Sequence, residues 1–240
     1  MNRHKIAGLN VDMGYKYERM LNQANAYTDN FTGEPDVKIY ITDEEIEKSV
    51  RENKGLDNDS CEYMWTGALF YESLVDFNGF VLHASAVVMD GKAYLFSAPS
   101  GTGKSTHTAL WCEHFGKKAE ILNDDKPAIR VVDNAVKVYG TPWSGKTALN
   151  LNREAELAGI CFLQRADTNY INRLSAESAI IRILEQTIRP QTEEGMSKLL
   201  ETLDKVITKV NVYNMGCTIS VEAAKLAYER MYSDYIEKNK

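Results

Sequence analysis

Ala93-Tyr-Leu-Phe-Ser97 runs directly into Ala98-Pro-Ser-Gly-Thr-Gly-Lys-Ser105, and this junction dictates what kind of sheet the chain builds. The first run is β-forming, the second is a glycine-bearing turn, and a helix is expected from Ser105. Strand, glycine turn and helix in that order match the phosphate-binding loop pattern, with Ala98 in place of its first glycine. Such a loop binds a nucleoside triphosphate because its backbone N–H groups and the positive end of the helix surround the phosphates. Ser100, Gly101, Thr102, Gly103, Lys104, Ser105 and Thr106 are therefore the candidate nucleotide-binding residues. Lys104 would reach the β- and γ-phosphates, and the Ser105 hydroxyl would hold Mg²⁺. A lysine is electrostatically unfavourable at a helix N-terminus, and a bound polyphosphate removes that penalty.

Upstream, Phe80-Val-Leu-His-Ala-Ser-Ala-Val-Val88 reads as one strand, joined to Lys92–Ser97 through Met89-Asp-Gly91. Asp-Gly between two β-type runs predicts a type I′ hairpin, whose two central residues have positive φ. The strand feeding the loop is then paired antiparallel with a strand carrying His83, unlike the all-parallel surroundings common in nucleotide-binding α/β folds. Downstream, the helix carries Leu110, Trp111 and Phe115 and ends near Gly116, a good C-terminal residue. Its His107 and His114 are given no role.

Ala119-Glu-Ile-Leu-Asn123 is a strand ending in Asp124-Asp125, two carboxylates expected at the same sheet edge as the loop. One would complete a Mg²⁺ shell, and the other would accept a proton from an attacking hydroxyl. His83 would tune this pair or touch the γ-phosphate, or is an ordinary strand residue. A second hairpin follows about Asp133-Asn134. The loop 140–146 supplies Lys146, either a phosphate contact or a surface residue. Arg165, beside a buried strand over 158–164, is either a neutraliser of transition-state charge or an exposed arginine.

The flanks are less explicit. Val37-Lys-Ile-Tyr-Ile41 is a strand, and Thr42-Asp-Glu-Glu45 is a capping box that opens a helix from Asp43 towards Arg51. A further helix from Cys61 to about Val75 is expected to bury Trp65, Leu69 and Phe70 together. Helices are expected over 176–189, over 193–210 and from Val221 with Ser220 as cap, and a short strand near Val212-Tyr213. Residues 1–78 then form a small α+β region, and 79–240 the main domain with a helical C-terminal third.

With 44% hydrophobic and 26% charged residues in 240, the chain can bury an ordinary globular core. No apolar run approaches the ~20 residues that span a bilayer. The first residues lack the apolar core of a secretory signal, so the expected location is cytoplasmic, with no membrane partner. The net charge of −6 speaks against a nucleic-acid partner. Cys61, Cys112, Cys161 and Cys217 show no Cys-x-x-Cys spacing and read as reduced, partly buried residues.

Taken in order, Val81-Leu-His83, the Asp-Gly hairpin, Ser100-Gly-Thr-Gly-Lys-Ser105 and Leu122-Asn-Asp-Asp125 resemble the HPr kinase and phosphoenolpyruvate carboxykinase superfamily, closest to its short HPr-kinase-like members. The resemblance covers roughly 79–164, and the early Asp-Asp is its most specific part. It implies a mixed, partly antiparallel α/β sheet with ATP- and Mg-dependent phosphoryl transfer at its edge. By motif position it implies that Lys104 binds phosphates and Ser105 the metal. Asp124 would activate the acceptor hydroxyl, Asp125 would assist the metal, and His83 would be the active-site histidine. Related kinases form oligomers, and the resemblance leaves both a homo-oligomer and a monomer open. An Arg-Gly-Leu-Gly-like second signature is not evident, and Gly140-Thr-Pro-Trp-Ser-Gly stands in its approximate place.

The function expected is thus transfer of a γ-phosphoryl group to a hydroxyl, on a serine of a protein or peptide or on a small metabolite. The alternatives are a nucleotide-binding sensor without transfer, and carboxykinase- or phosphorylase-type chemistry.

Overall fold

The computed structural model describes residues 2–239. In chain order the elements are β1 (Asn2–Ile6), β2 (Leu9–Met13), α1 (Glu18–Ala24), β3 (Val37–Ile39), α2 (Asp43–Glu52), α3 (Asn58–Ser73), β4 (Gly79–Val81), β5 (Ala84–Met89), β6 (Lys92–Ser97), α4 (Lys104–Phe115), β7 (Ala119–Asn123), β8 (Ala128–Val132), β9 (Ala135–Tyr139), β10 (Glu154–Arg165), β11 (Tyr170–Arg173), α5 (Ala176–Gln186), α6 (Glu193–Lys209), β12 (Asn211–Cys217) and α7 (Val221–Lys238). Among the described residues no helix is long and apolar enough to cross a membrane.

Nine strands form the larger sheet, in the order β4-β8-β9-β10-β6-β5-β7, with β12 on β10 and β11 on β12. β10 is its centre. Glu156 pairs with both Lys137 of β9 and Lys92 of β6, while Gly159 pairs with both Asn211 of β12 and Tyr94 of β6. A residue's two partners lie on opposite edges, so β6 lines one edge of β10 and β9 and β12 share the other. Only β6, β10 and β12 run parallel in this sheet; its other pairings are antiparallel. The mixed α/β sheet expected from the sequence is present.

Strand periodicity sorts the side chains into two layers. Ala93 and Leu95 of β6 face Ile183 of α5 and Leu199, Leu203 and Val206 of α6. Tyr94 and Phe96 face Trp111 of α4 and Ala223, Ala224 and Met231 of α7. In β10 the alternation changes phase: Leu157 joins the first layer, as do Ile160 and Phe162. The register against β6 shifts between Leu157 and Gly159, and one extra residue in the strand accounts for the change.

A second, three-stranded sheet, β1-β2-β3, packs with α3 against one end of the larger one. Their common core joins Val11, Met13, Ile39 and Phe70 to Val81, Ala128, Tyr139 and Trp143. α2 opens on the expected capping box, with the Thr42 N–H donating to Glu45 Oε2 at 2.8 Å and the Glu45 N–H to Thr42 Oγ1 at 3.3 Å.

Both expected hairpins form. Asp90 and Gly91 have φ of 50° and 73°, and Asp133 and Asn134 have 49° and 64°, the left-handed pair of a type I′ turn. Four expectations are corrected. The strand read over 80–88 is broken at Leu82 and His83, because the His83 N–H donates to Gln186 O at 2.8 Å rather than to a neighbouring strand. α5 stops at Gln186, short of Arg189, because the Thr187 hydroxyl donates to Val81 O at 2.5 Å and Thr187 bridges Leu82. Trp65 and Leu69 are 47% and 36% exposed, whereas Phe70 is buried. The inward stripe of α3 runs through Tyr63, Thr66, Gly67 and Phe70, and Trp65 turns to α2, donating its indole N–H to Ser49 Oγ at 2.9 Å. The short strand expected near Val212-Tyr213 is longer: β12 runs through Cys217 and joins the sheet, with β11 beside it.

Candidate functional site

Two glycines with left-handed backbone shape the turn between β6 and α4. Gly101 has φ of 77° and Gly103 of 118°, and nothing lies within 4 Å of a Cβ placed at either. The constraint there is conformational, and the space above the turn is open. The first-turn amides of α4, like those of any helix, have no intrahelical acceptor, and no cap side chain takes them up. Lys104 is buried, and its Nζ donates to Ala98 O at 3.1 Å. Burial lowers its pKa, and the charges of Asp125 and Asp124 act the other way.

β7 delivers the two aspartates beside this turn. Asn123 Oδ1 accepts the Asp125 and Lys126 N–H groups at 3.1 and 2.8 Å, bending the chain as Asp124-Asp125 leave the strand. Asp124 is 6% exposed, and both its oxygens are engaged: Ser85 donates to Oδ1 at 2.7 Å and Thr147 to Oδ2 at 3.0 Å. Ser85 Oγ lies 2.8 Å from Thr108 Oγ1, which ties this carboxylate to α4.

Asp125 sits differently. Its Oδ1 meets His83 Nε2 at 3.3 Å and Lys126 Nζ at 3.2 Å, and among the described residues its Oδ2 has no hydrogen-bond partner. Burial pushes this carboxyl up, but the His83 hydrogen bond and the charges of Lys126 and His83 outweigh it and leave it below the usual carboxylate value. His83 Nδ1 lies 3.2 Å from Gln186 Oε1, so the ring is held from both sides.

The chain after β9 closes the opposite wall. The Gly145 N–H donates to the Tyr63 hydroxyl at 2.9 Å, and Arg19 donates to Gly145 O at 2.7 Å while lying 3.5 Å from the Tyr63 ring centroid. This grip fixes the loop that carries Lys146 and Thr147.

The result is a cleft of about 470 Å³ that brings together His83, Ser100, Lys104, Ser105, Asp124, Asp125, Lys146 and Thr147. Gly101, Gly103 and Thr106 line it as well as a second cleft of about 320 Å³ on the other side of the turn. Thr102 and Arg165 line only the second, and Arg165 Nη2 donates to Gly101 O at 3.0 Å. Of the sequence-derived residues, Thr102 and Arg165 are therefore apart from the aspartates.

Sequence reasoning missed Ser85, Thr147 and Gln186. Ser85 had a signal, since it follows His83 by two in a strand whose other residues are apolar. Thr147 lies one residue beyond the loop read at 140–146. Gln186 had none, because it reaches His83 across 103 residues.

The sequence pattern of SynChlorMet cassette protein ScmC matches residues 56–225, well over half of the chain. The chain belongs to this family. The matched segment includes His83, the 98–105 turn, Asp124-Asp125 and Thr147. No curated protein matches the sequence. Among solved structures, the HPr(Ser) kinase/phosphatase from Coxiella burnetii is similar at 11% identity over 64% of this chain and 97% of that one, with a TM-score of 0.38.

Proposed function

We propose that the chain is an ATP-dependent phosphotransferase that passes the γ-phosphoryl group to a hydroxyl. The observation that carries this reading is the 470 Å³ cleft, where a glycine turn and a buried lysine face two aspartates of unlike surroundings. The turn would hold the phosphates on its backbone N–H groups, and Lys104 would exchange the Ala98 carbonyl for a phosphate oxygen.

A magnesium ion fits the donors present. Among the described residues no group of three or more His, Cys, Asp and Glu could hold a metal by itself. An ion in this cleft would therefore need oxygens from another molecule, and magnesium binds in that manner, through one or two protein oxygens plus phosphates and water. Ser105 and Asp124 would hold it, and when bound it would neutralise charge on the phosphate oxygens.

The proton of the acceptor hydroxyl goes, on this reading, to Asp125. Its Oδ2 is unbonded among the described residues, and His83 and Lys126 anchor Oδ1. Asp124 accepts one hydroxyl hydrogen bond on each oxygen, which fixes its carboxylate and leaves a further lone pair on each for the ion. This exchanges the two aspartate roles that motif position implies. Lys146 would add positive charge at the mouth of the cleft.

The test is transfer of labelled γ-phosphate from Mg·ATP to free serine, other hydroxylated metabolites and cell-extract proteins. The wild type is expected to label a hydroxyl-bearing acceptor, and Lys104→Ala to lose that labelling. ATP binding without labelling of any acceptor would leave a nucleotide sensor instead.

A further inference from the structure

The second cleft carries a buried group that nothing among the described residues satisfies. His107, on α4, is 3% exposed and lines this cleft beside Leu110. Trp111 Nε1 donates to His107 Nε2 at 3.2 Å, and an indole nitrogen can only donate. Nε2 is therefore unprotonated. Burial holds the imidazole pKa down to about 4, so at neutral pH the single ring proton is on Nδ1. Among the described residues this Nδ1 has no hydrogen-bond partner. A buried N–H without an acceptor is destabilising, and such groups are rare unless a ligand or water completes them.

The rim of the same cleft holds a second anomaly. Ile219 is 83% exposed, the most exposed large hydrophobic side chain among the described residues. It stands on a fixed turn: the Thr218 N–H donates to Asn169 Oδ1 at 2.8 Å, and Ser220 Oγ accepts the Ala223 N–H at 3.3 Å. An apolar residue held rigidly in water over a cleft gains by closing on a flat apolar face.

Gly101, Gly103 and Thr106 line both clefts, so a ligand whose phosphates lie in the first would reach the second over the turn. We infer that the second cleft takes the base of the nucleotide, with Ile219 covering the ring and a small turn of the His107 imidazole bringing its buried Nδ1–H to a base acceptor. This rests on the proposed function, because it takes the phosphates to lie on the turn. It adds the residues that read the far end of the ligand. A purine suits the combination, since it offers unprotonated ring nitrogens in a flat ring.

Calorimetric binding of Mg·ATP and of Mg·tripolyphosphate, which has no base, separates the two readings. Ile219→Ala changes an exposed side chain and leaves the fold intact. It should weaken ATP about tenfold and leave tripolyphosphate unchanged. In ¹⁵N-edited NMR, the His107 Nδ1–H signal should shift on addition of ATP and stay in place with tripolyphosphate. If both ligands bind, but Ile219→Ala alters neither and the Nδ1–H signal is unmoved by ATP, the base lies elsewhere and the inference is overturned alone. If neither ligand binds, the phosphate reading falls and takes the inference with it.

Discussion

Asp124 and Asp125 are neighbours in sequence with opposite surroundings. The first is enclosed by the hydroxyls of Ser85 and Thr147, and the second, beside His83, has one oxygen without a hydrogen-bond partner among the described residues. The pair was legible because two carboxylates followed a strand just past the glycine turn. Their different environments were not, because Ser85 and Thr147 reach Asp124 from separate loops and strands. At the same scale, His107 makes stability depend on pH. Its unfolded imidazole takes up a proton near 6.5 and its buried one only near 4. The unfolded state therefore binds more protons between these values. The stability held by this group is complete above pH 6.5 and is lost as pH falls through 4, by about 3 kcal/mol. Urea unfolding at pH 7 and pH 4.5 should show a larger loss for the wild type than for His107→Leu; equal losses would remove this group as the cause.

Among the elements, those with local signals were readable. The two type I′ hairpins followed from Asp-Gly and Asp-Asn, and the start of α2 from Thr42 and Glu45, because each is fixed by hydrogen bonds or φ angles within four residues. β1, β2 and their turn were missed, since three of the five residues in β1 are exposed and Ala7, at φ of 51°, gives no turn signal. The break at His83 and the end of α5 were missed together, because each is made by the other across the fold. One turn with a sharp steric requirement is Gly140, between β9 and Trp143. A Cβ there would lie 2.0 Å from Leu151 O and 3.0 Å from Leu122 O, backbone atoms that cannot rotate away. Gly140→Ala should cost about 3 kcal/mol of stability, measured by denaturant unfolding. A cost within error of zero would mean that the 149–153 segment shifts freely.

At the level of the whole molecule, the boundary read at residue 78 runs through a common core. Trp143 follows β9, yet it stacks on Phe70 of α3 at 5.0 Å and meets Tyr71 edge-on at 5.5 Å, and its indole N–H donates to Thr66 Oγ1 at 3.2 Å. Both sheets should therefore unfold in one transition, seen as coincident far-ultraviolet circular dichroism and tryptophan fluorescence curves. Trp143→Ala should lower stability by about 3–5 kcal/mol; two separated transitions in the wild type would show independent units. The same contacts place α1 and α3 behind the Gly145 loop, so the first part of the chain buttresses the cleft. That support was illegible in the sequence, because Arg19 and Gly145 are 126 residues apart.

On the proposed function this cleft transfers a phosphoryl group with Asp125 taking the proton. Single-turnover transfer of labelled γ-phosphate from Mg·ATP to the hydroxyl acceptor tests it, comparing the wild type with Asp124→Asn and Asp125→Asn. Asp125→Asn should slow transfer by about 100-fold or more with ATP affinity unchanged, whereas Asp124→Asn should weaken magnesium-dependent nucleotide binding. Transfer by Asp125→Asn at the wild-type rate would contradict it.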